Sequence, residues 1–126
     1  MSEDIKKIDD GTLKGDELDH AMADAQNGKG IYTHKFAEPF KFEDKTYTEL
    51  TFKFKDLTTG DMIAIERQLT ITEGVTVVDP ALSVMFLIAM SAKAAGVGYD
   101  MIKKLPMYDG YQIRGKARNF MMRPVV

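Results

Sequence analysis

The chain has 126 residues, 44% of them hydrophobic and 29% charged, which suits one soluble globular domain and is too short for two ordinary ones. It contains no Cys, so thiol catalysis, a disulfide framework and cysteine zinc sites are excluded. The net charge of −2 is unevenly spread: residues 1–30 carry 4 basic and 8 acidic side chains, residues 31–98 carry 7 and 9, and residues 99–126 carry 6 and 2. An acidic head and a basic end do not make a uniformly basic nucleic-acid binder.

Residues 1–30 read as a flexible acidic arm, with Gly11, Gly15, Gly28 and Gly30, no aromatic and no Pro. Such a segment buries too little apolar surface to offset its ordering entropy. Within it, Leu13, Leu18, Ala21, Met22 and Ala25 approach helical spacing behind a capping Asp16, so a helix can form there on a partner. The polar start MSEDIKKIDD lacks the apolar run of a signal peptide, and the expected product is soluble and stays where it is made.

Residues 31–126 read as a single α+β domain. Phe36, Phe40 and Phe42 alternate with polar residues, and so do Leu50, Phe52 and Phe54. Alternation of period two predicts two strands with one face on a core. The segment Glu43-Asp44-Lys45-Thr46 predicts the tight turn between them, with Asp44 taking the left-handed conformation. Pro39 predicts an edge position or a bulge in the first strand, and the phase of Tyr47 against Leu50 predicts an irregularity near Thr48. A lone hairpin is marginal in water and must lean on helices.

Thr58 and Asp61 then form a capping-box pattern ahead of Met62, Ile65 and Leu69, and this helix should end between Thr70 and Gly74. After an extended connector, Asp79-Pro80 predicts the start of a second helix over residues 81–95. That helix is apolar on nearly every side, which places it centrally or under another chain. Broken by Ser83, Ser91 and Lys93, it falls short of the ~20 residues a membrane helix needs. A short helical turn over residues 99–104 should stop at Pro106, and a last helix should run to Met121 with Ile113, Ala117 and Phe120 inward. The expected fold is thus an antiparallel β-hairpin on three to four α-helices.

Chemistry is sparse. His20 and His34 fit no ligand spacing and read as surface residues, so no metal is expected. Ser83 and Ser91 sit in no nucleophile elbow, and Gly28-Lys29-Gly30 and Gly96-Val97-Gly98 lack the rest of a nucleotide fingerprint, so no cofactor is expected either. The acidic pairs lie in predicted exposed segments, without the burial that poises a carboxylate, and the chain reads as a non-enzyme. Two signals remain. One is the set of nine Met, seven of them between Met62 and Met122, since methionine suits surfaces that must fit more than one shape. The other is the basic end with Tyr99, Tyr108 and Tyr111 interleaved, a face onto which the arm can fold back.

The order of motifs resembles the tail assembly chaperone family of Mu-like, contractile-tailed phages and prophages. The resemblance rests on Tyr47-Thr48-Glu49-Leu50, on Leu57-Thr58-Thr59-Gly60-Asp61, and on Tyr99-Asp100, Leu105-Pro106 and Asp109-x-Tyr111, over residues 36–121. Two features depart from it: Asp44 stands where many relatives have Gly in the hairpin turn, and the acidic arm is longer. The resemblance implies a chaperone in the host bacterial cytoplasm, absent from the mature virion. It would bind the tape measure protein and help recruit tail tube subunits. Expected contacts are Met85, Met90, Met101, Met107 and Met121, with the basic Lys103, Lys104, Arg114 and Arg118. A homo-oligomer through residues 81–95 or the last helix is also expected, with no nucleic acid and no membrane as partner. The alternatives are a structural or adaptor protein retained in the phage tail and, behind it, a nucleic-acid-binding domain using the basic C-terminal helix.

Overall fold

The computed structural model describes residues 30–122, so the expected acidic arm lies outside the described residues. The described chain begins at Gly30, whose φ is +83° and whose Cβ, if it had one, would stand 2.7 Å from the Lys55 Cβ. Only glycine fits there. Its carbonyl accepts from the Lys55 N–H at 2.9 Å, which ties the start of the domain to the end of the hairpin.

Strand β1 (Tyr32–Phe42) and strand β2 (Lys45–Phe52) pair antiparallel as the expected hairpin. Lys35 pairs with Glu49 and Phe40 with Tyr47, so residues 36–39 of β1 face Thr48 alone. The irregularities expected at Pro39 and at Thr48 are therefore two sides of one bulge. Pro39 brings no N–H to the ladder and tolerates the interruption. The turn is tighter than expected: Lys45 and Thr46 already pair with Phe42 and Lys41, leaving Glu43 and Asp44 alone. The left-handed residue is Glu43, with φ +57°, and not Asp44. The Phe42–Lys45 pair fixes which residue stands first in the turn, and that overrides the local preference of Asp for this conformation.

Burial falls along the hairpin toward this turn. Tyr32 and Phe52 at the open end are buried, whereas Phe40, Phe42 and Tyr47 are half-buried. At the buried end the rings of Tyr32, Phe52, Phe54 and Phe120 stack in series, with centroids 5.7–6.1 Å apart. Rings at such spacing add roughly 0.5–1.5 kcal/mol per pair beyond their area. This stack joins the hairpin and the 3-10 turn Phe54–Asp56 to the last helix.

Helix α1 (Thr59–Glu73) starts with the expected capping box: the Thr58 hydroxyl accepts from the Asp61 N–H, and the Asp61 carboxylate accepts from the Thr58 N–H at 2.8 Å. It ends at Gly74 with φ +68°. Only Ile65 and Leu69 are buried, so α1 is held by one narrow stripe and by the ion pairs Asp61–Lys93 and Glu73–Lys103. Asp79-Pro80 does not open the second helix as expected. It opens a separate 3-10 turn, Pro80–Leu82, and helix α2 (Val84–Ala95) begins afresh with Ser83 as its cap, the hydroxyl accepting from the Phe86 N–H. Ser83 thus starts a helix, while the Ser91 hydroxyl donates to the Leu87 carbonyl at 2.7 Å. Phe86, Leu87, Met90 and Ala92 of α2 are core, but Val84 and Met85 are exposed, so the helix is not covered on every side. Helix α3 (Tyr99–Lys103) is a single turn, and α4 (Met107–Met122) buries Ile113 and Ala117 as its spacing predicts. The described domain is an α+β layout of one hairpin and four helices built around α2.

Candidate partner-binding groove

Three helices converge without closing. Val84, Met85 and Ile88 of α2, Tyr99, Ile102 and Lys103 of α3, and Met107, Gly110, Tyr111 and Arg114 of α4 line an open groove of about 860 Å³, together with Glu73 and Leu105. The break between the Pro80–Leu82 turn and α2 explains why Val84 and Met85 face outward: the new helix start leaves its first turn uncovered. Pro106 stops the chain after α3, and α4 then starts at Met107, which is 87% exposed. Gly110 leaves the wall of the groove low between Met107 and Tyr111.

The groove lining is mainly apolar and carries two cations, Lys103 and Arg114, and one acid, Glu73. The Lys103 ammonium lies 5.0 Å from the Tyr99 ring centre, and the Arg114 guanidinium 4.9 Å from that of Tyr111. Each cation thus rests on an aromatic face and keeps its charge toward solvent. Lys103 also meets Glu73 at 3.5 Å, which answers one positive charge and leaves the lining basic at Arg114. Burial, with the Glu73 charge second, pushes the Tyr99 hydroxyl above its ordinary value.

The nine residues expected at a partner surface separate into groups. Met85, Met107, Lys103 and Arg114 line this groove together. Met121 lines a smaller cavity of about 220 Å³ with Met62, Leu57 and Phe120. Lys104 is exposed and Arg118 half-buried, and neither lines the groove. Met90 and Met101 are core residues, 4% and 2% exposed, and Met90 lines the same smaller cavity as Met121. Sequence spacing does not single out Val84, Ile88, Ile102 and Leu105 as lining residues. Tyr99 and Tyr111 carried a signal, as aromatics interleaved with basic residues.

A second polar arrangement escaped the sequence entirely. His34, expected on the surface, is 3% exposed. Its Nε2 lies 2.7 Å from Asp109 Oδ1, and its Nδ1 lies 2.7 Å from the Tyr32 hydroxyl. Both ring nitrogens of His34 thus meet an oxygen partner inside the fold. Asp109 also stands in the first turn of α4, where a carboxylate complements the helix dipole. The three residues join β1 to α4 across 75 positions of sequence, and burial keeps substrates from them. They form a polar seam inside the fold.

Among the described residues no group of three or more His, Asp or Glu could hold a metal ion, and no helix is long and apolar enough to cross a membrane. The described residues thus form a small α+β domain with an open, mainly apolar groove. No protein-family model matches this sequence, and no curated protein or solved structure resembles it significantly.

Proposed function

We propose that the protein is a non-enzymatic phage tail assembly chaperone that binds the tape measure protein and helps recruit tail tube subunits around it. It would act in the host bacterial cytoplasm and leave before the virion matures. The observation that carries this reading is the open groove, lined by two exposed methionines, Met85 and Met107, and by the cations Lys103 and Arg114. A tape measure protein is a long helical chain with apolar stripes, which aggregate if left bare. An amphipathic helix lays such a stripe into a groove of this kind. Methionine linings adapt to successive segments of differing sequence, which a protein that covers a long chain requires.

Co-expression with the tape measure protein of the same phage or prophage tests the reading. The expected result is a soluble complex that elutes together on a sizing column and is lost on Met107→Asp. Unchanged solubility of the tape measure protein, with no complex, overturns the proposal. Recovery of the chain at stoichiometric level from purified particles would replace it with a tail structural or adaptor role.

A further inference from the structure

Four observations bear on what fills the groove when no partner is present. The first is charge. Residues 16–25 of the arm hold Asp16, Glu17, Asp19 and Asp24 and no Lys or Arg, while the groove lining holds Lys103 and Arg114 against the single Glu73. The second is pattern. Leu18, Ala21, Met22 and Ala25 fall on one face of a helix, and Asp16 stands where an N-cap would.

The third is where the arm joins the domain. Gly30 is fixed beside α4: a Cβ there would stand 3.3 Å from the Phe120 ring. The groove occupies the other half of the same helix, from Met107 to Arg114. At 1.5 Å per residue, Arg114 is roughly 9 Å and Gly110 roughly 15 Å along the axis from Phe120. At 100° per residue, the groove face lies roughly a third of a turn around from Phe120. The fourth is reach. Five residue steps from Ala25 to Gly30 span about 17 Å when extended, enough to bring the end of a ten-residue helix about 15 Å long to the groove.

We propose that residues 16–25 dock as an amphipathic helix in the groove of their own chain and hold it shut until a partner displaces them. This rests on the groove being the partner site and not on which protein the partner is. The tether keeps the segment at a local concentration on the order of millimolar, so a weak contact suffices to cover the exposed methionines. The aggregation hazard of bare apolar surface is then answered within the chain itself. A partner helix competes with the arm, and its apparent affinity is reduced by the fraction of chains that are closed.

The absence of Cys and the methionines make the test direct. In full-length His20→Cys, a nitroxide label sits on the face of the segment opposite Leu18 and Met22. With ¹³C-methyl methionine, the label should broaden the Met85 and Met107 signals more than those of Met62 and Met121, independently of concentration. Adding Leu18→Asp with Met22→Asp should release the broadening and raise affinity for a tape measure segment about tenfold. Equal or absent broadening at Met85 and Met107 overturns the proposal. Broadening between a labelled copy and a ¹³C copy, with none within one chain, also overturns it and assigns the groove to a second copy. Broadening at Met85 and Met107 without any tape measure complex leaves the arm contact standing and removes only the partner named above.

Discussion

Met107 and Asp109 stand two residues apart at the start of α4 and meet opposite surroundings. Asp109 faces inward and shares a hydrogen bond with His34, whereas Met107 is almost wholly in solvent. One side of the helix is sealed, to the point that a carboxylate, an imidazole and a phenol are buried with each partner found. The other side is left open, apolar and adaptable. The sealed side therefore fixes the position of α4, and the open side inherits that position as one wall of a groove. The adaptable surface needs rigid support, because flexible methionines define a shape only if the helices that carry them do not move.

Disrupting the sealed side should have the largest effect. His34→Ala leaves the buried Asp109 carboxylate without its hydrogen-bond partner and should lower stability by about 3 kcal/mol, read from urea unfolding. The double variant with Asp109→Ala should cost less than the sum of the two single changes, since the two residues act as one unit. A smaller effect is expected at α1, which is held by one stripe. Thr58→Ala removes half of the capping box and should cost about 1 kcal/mol by the same measurement. On the open side, Tyr111→Asp should change stability by no more than about 0.5 kcal/mol while abolishing the partner complex. If Tyr111→Asp unfolds the domain instead, the division between sealed and open sides is wrong.

The smallest effect concerns acid. The Thr58 backbone N–H, aided by its hydroxyl and by Lys93, holds the Asp61 carboxyl below its ordinary value of 3.8. The stability that this contributes is fully present above that ordinary value and is lost as pH falls through the lower folded value. Helical signal from α1 should thus weaken slightly in acid, and Asp61→Asn should remove that part of the pH dependence, as circular dichroism between pH 5 and pH 2 would show.

Local features were legible in the sequence. The hairpin, the Thr58–Asp61 box, the stop at Gly74 and the inward Ile113 and Ala117 all depend on residues within a few positions of one another. The polar seam was not legible, because Tyr32 and His34 meet Asp109 only once the hairpin docks on α4. Asp79-Pro80 misplaced a helix start since two start signals, Asp79 and Ser83, stand four residues apart, and the first is spent on a 3-10 turn. The methionines show the same limit. Their number indicated adaptable surface, but only packing separates Met90 and Met101 in the core from Met85 and Met107 in the groove.

The bulge at Pro39 also has a meaning for crowding. Among the described residues the sheet has two strands, so no further strand covers the outer edge of β1. An open edge invites a second copy to add itself by backbone pairing, then a third, and so on without closure. Here that edge lacks the N–H of Pro39, is interrupted over residues 36–39, and carries exposed Lys35, Glu38 and Lys41. A bulged, proline-bearing and charged edge disfavours that unclosed growth.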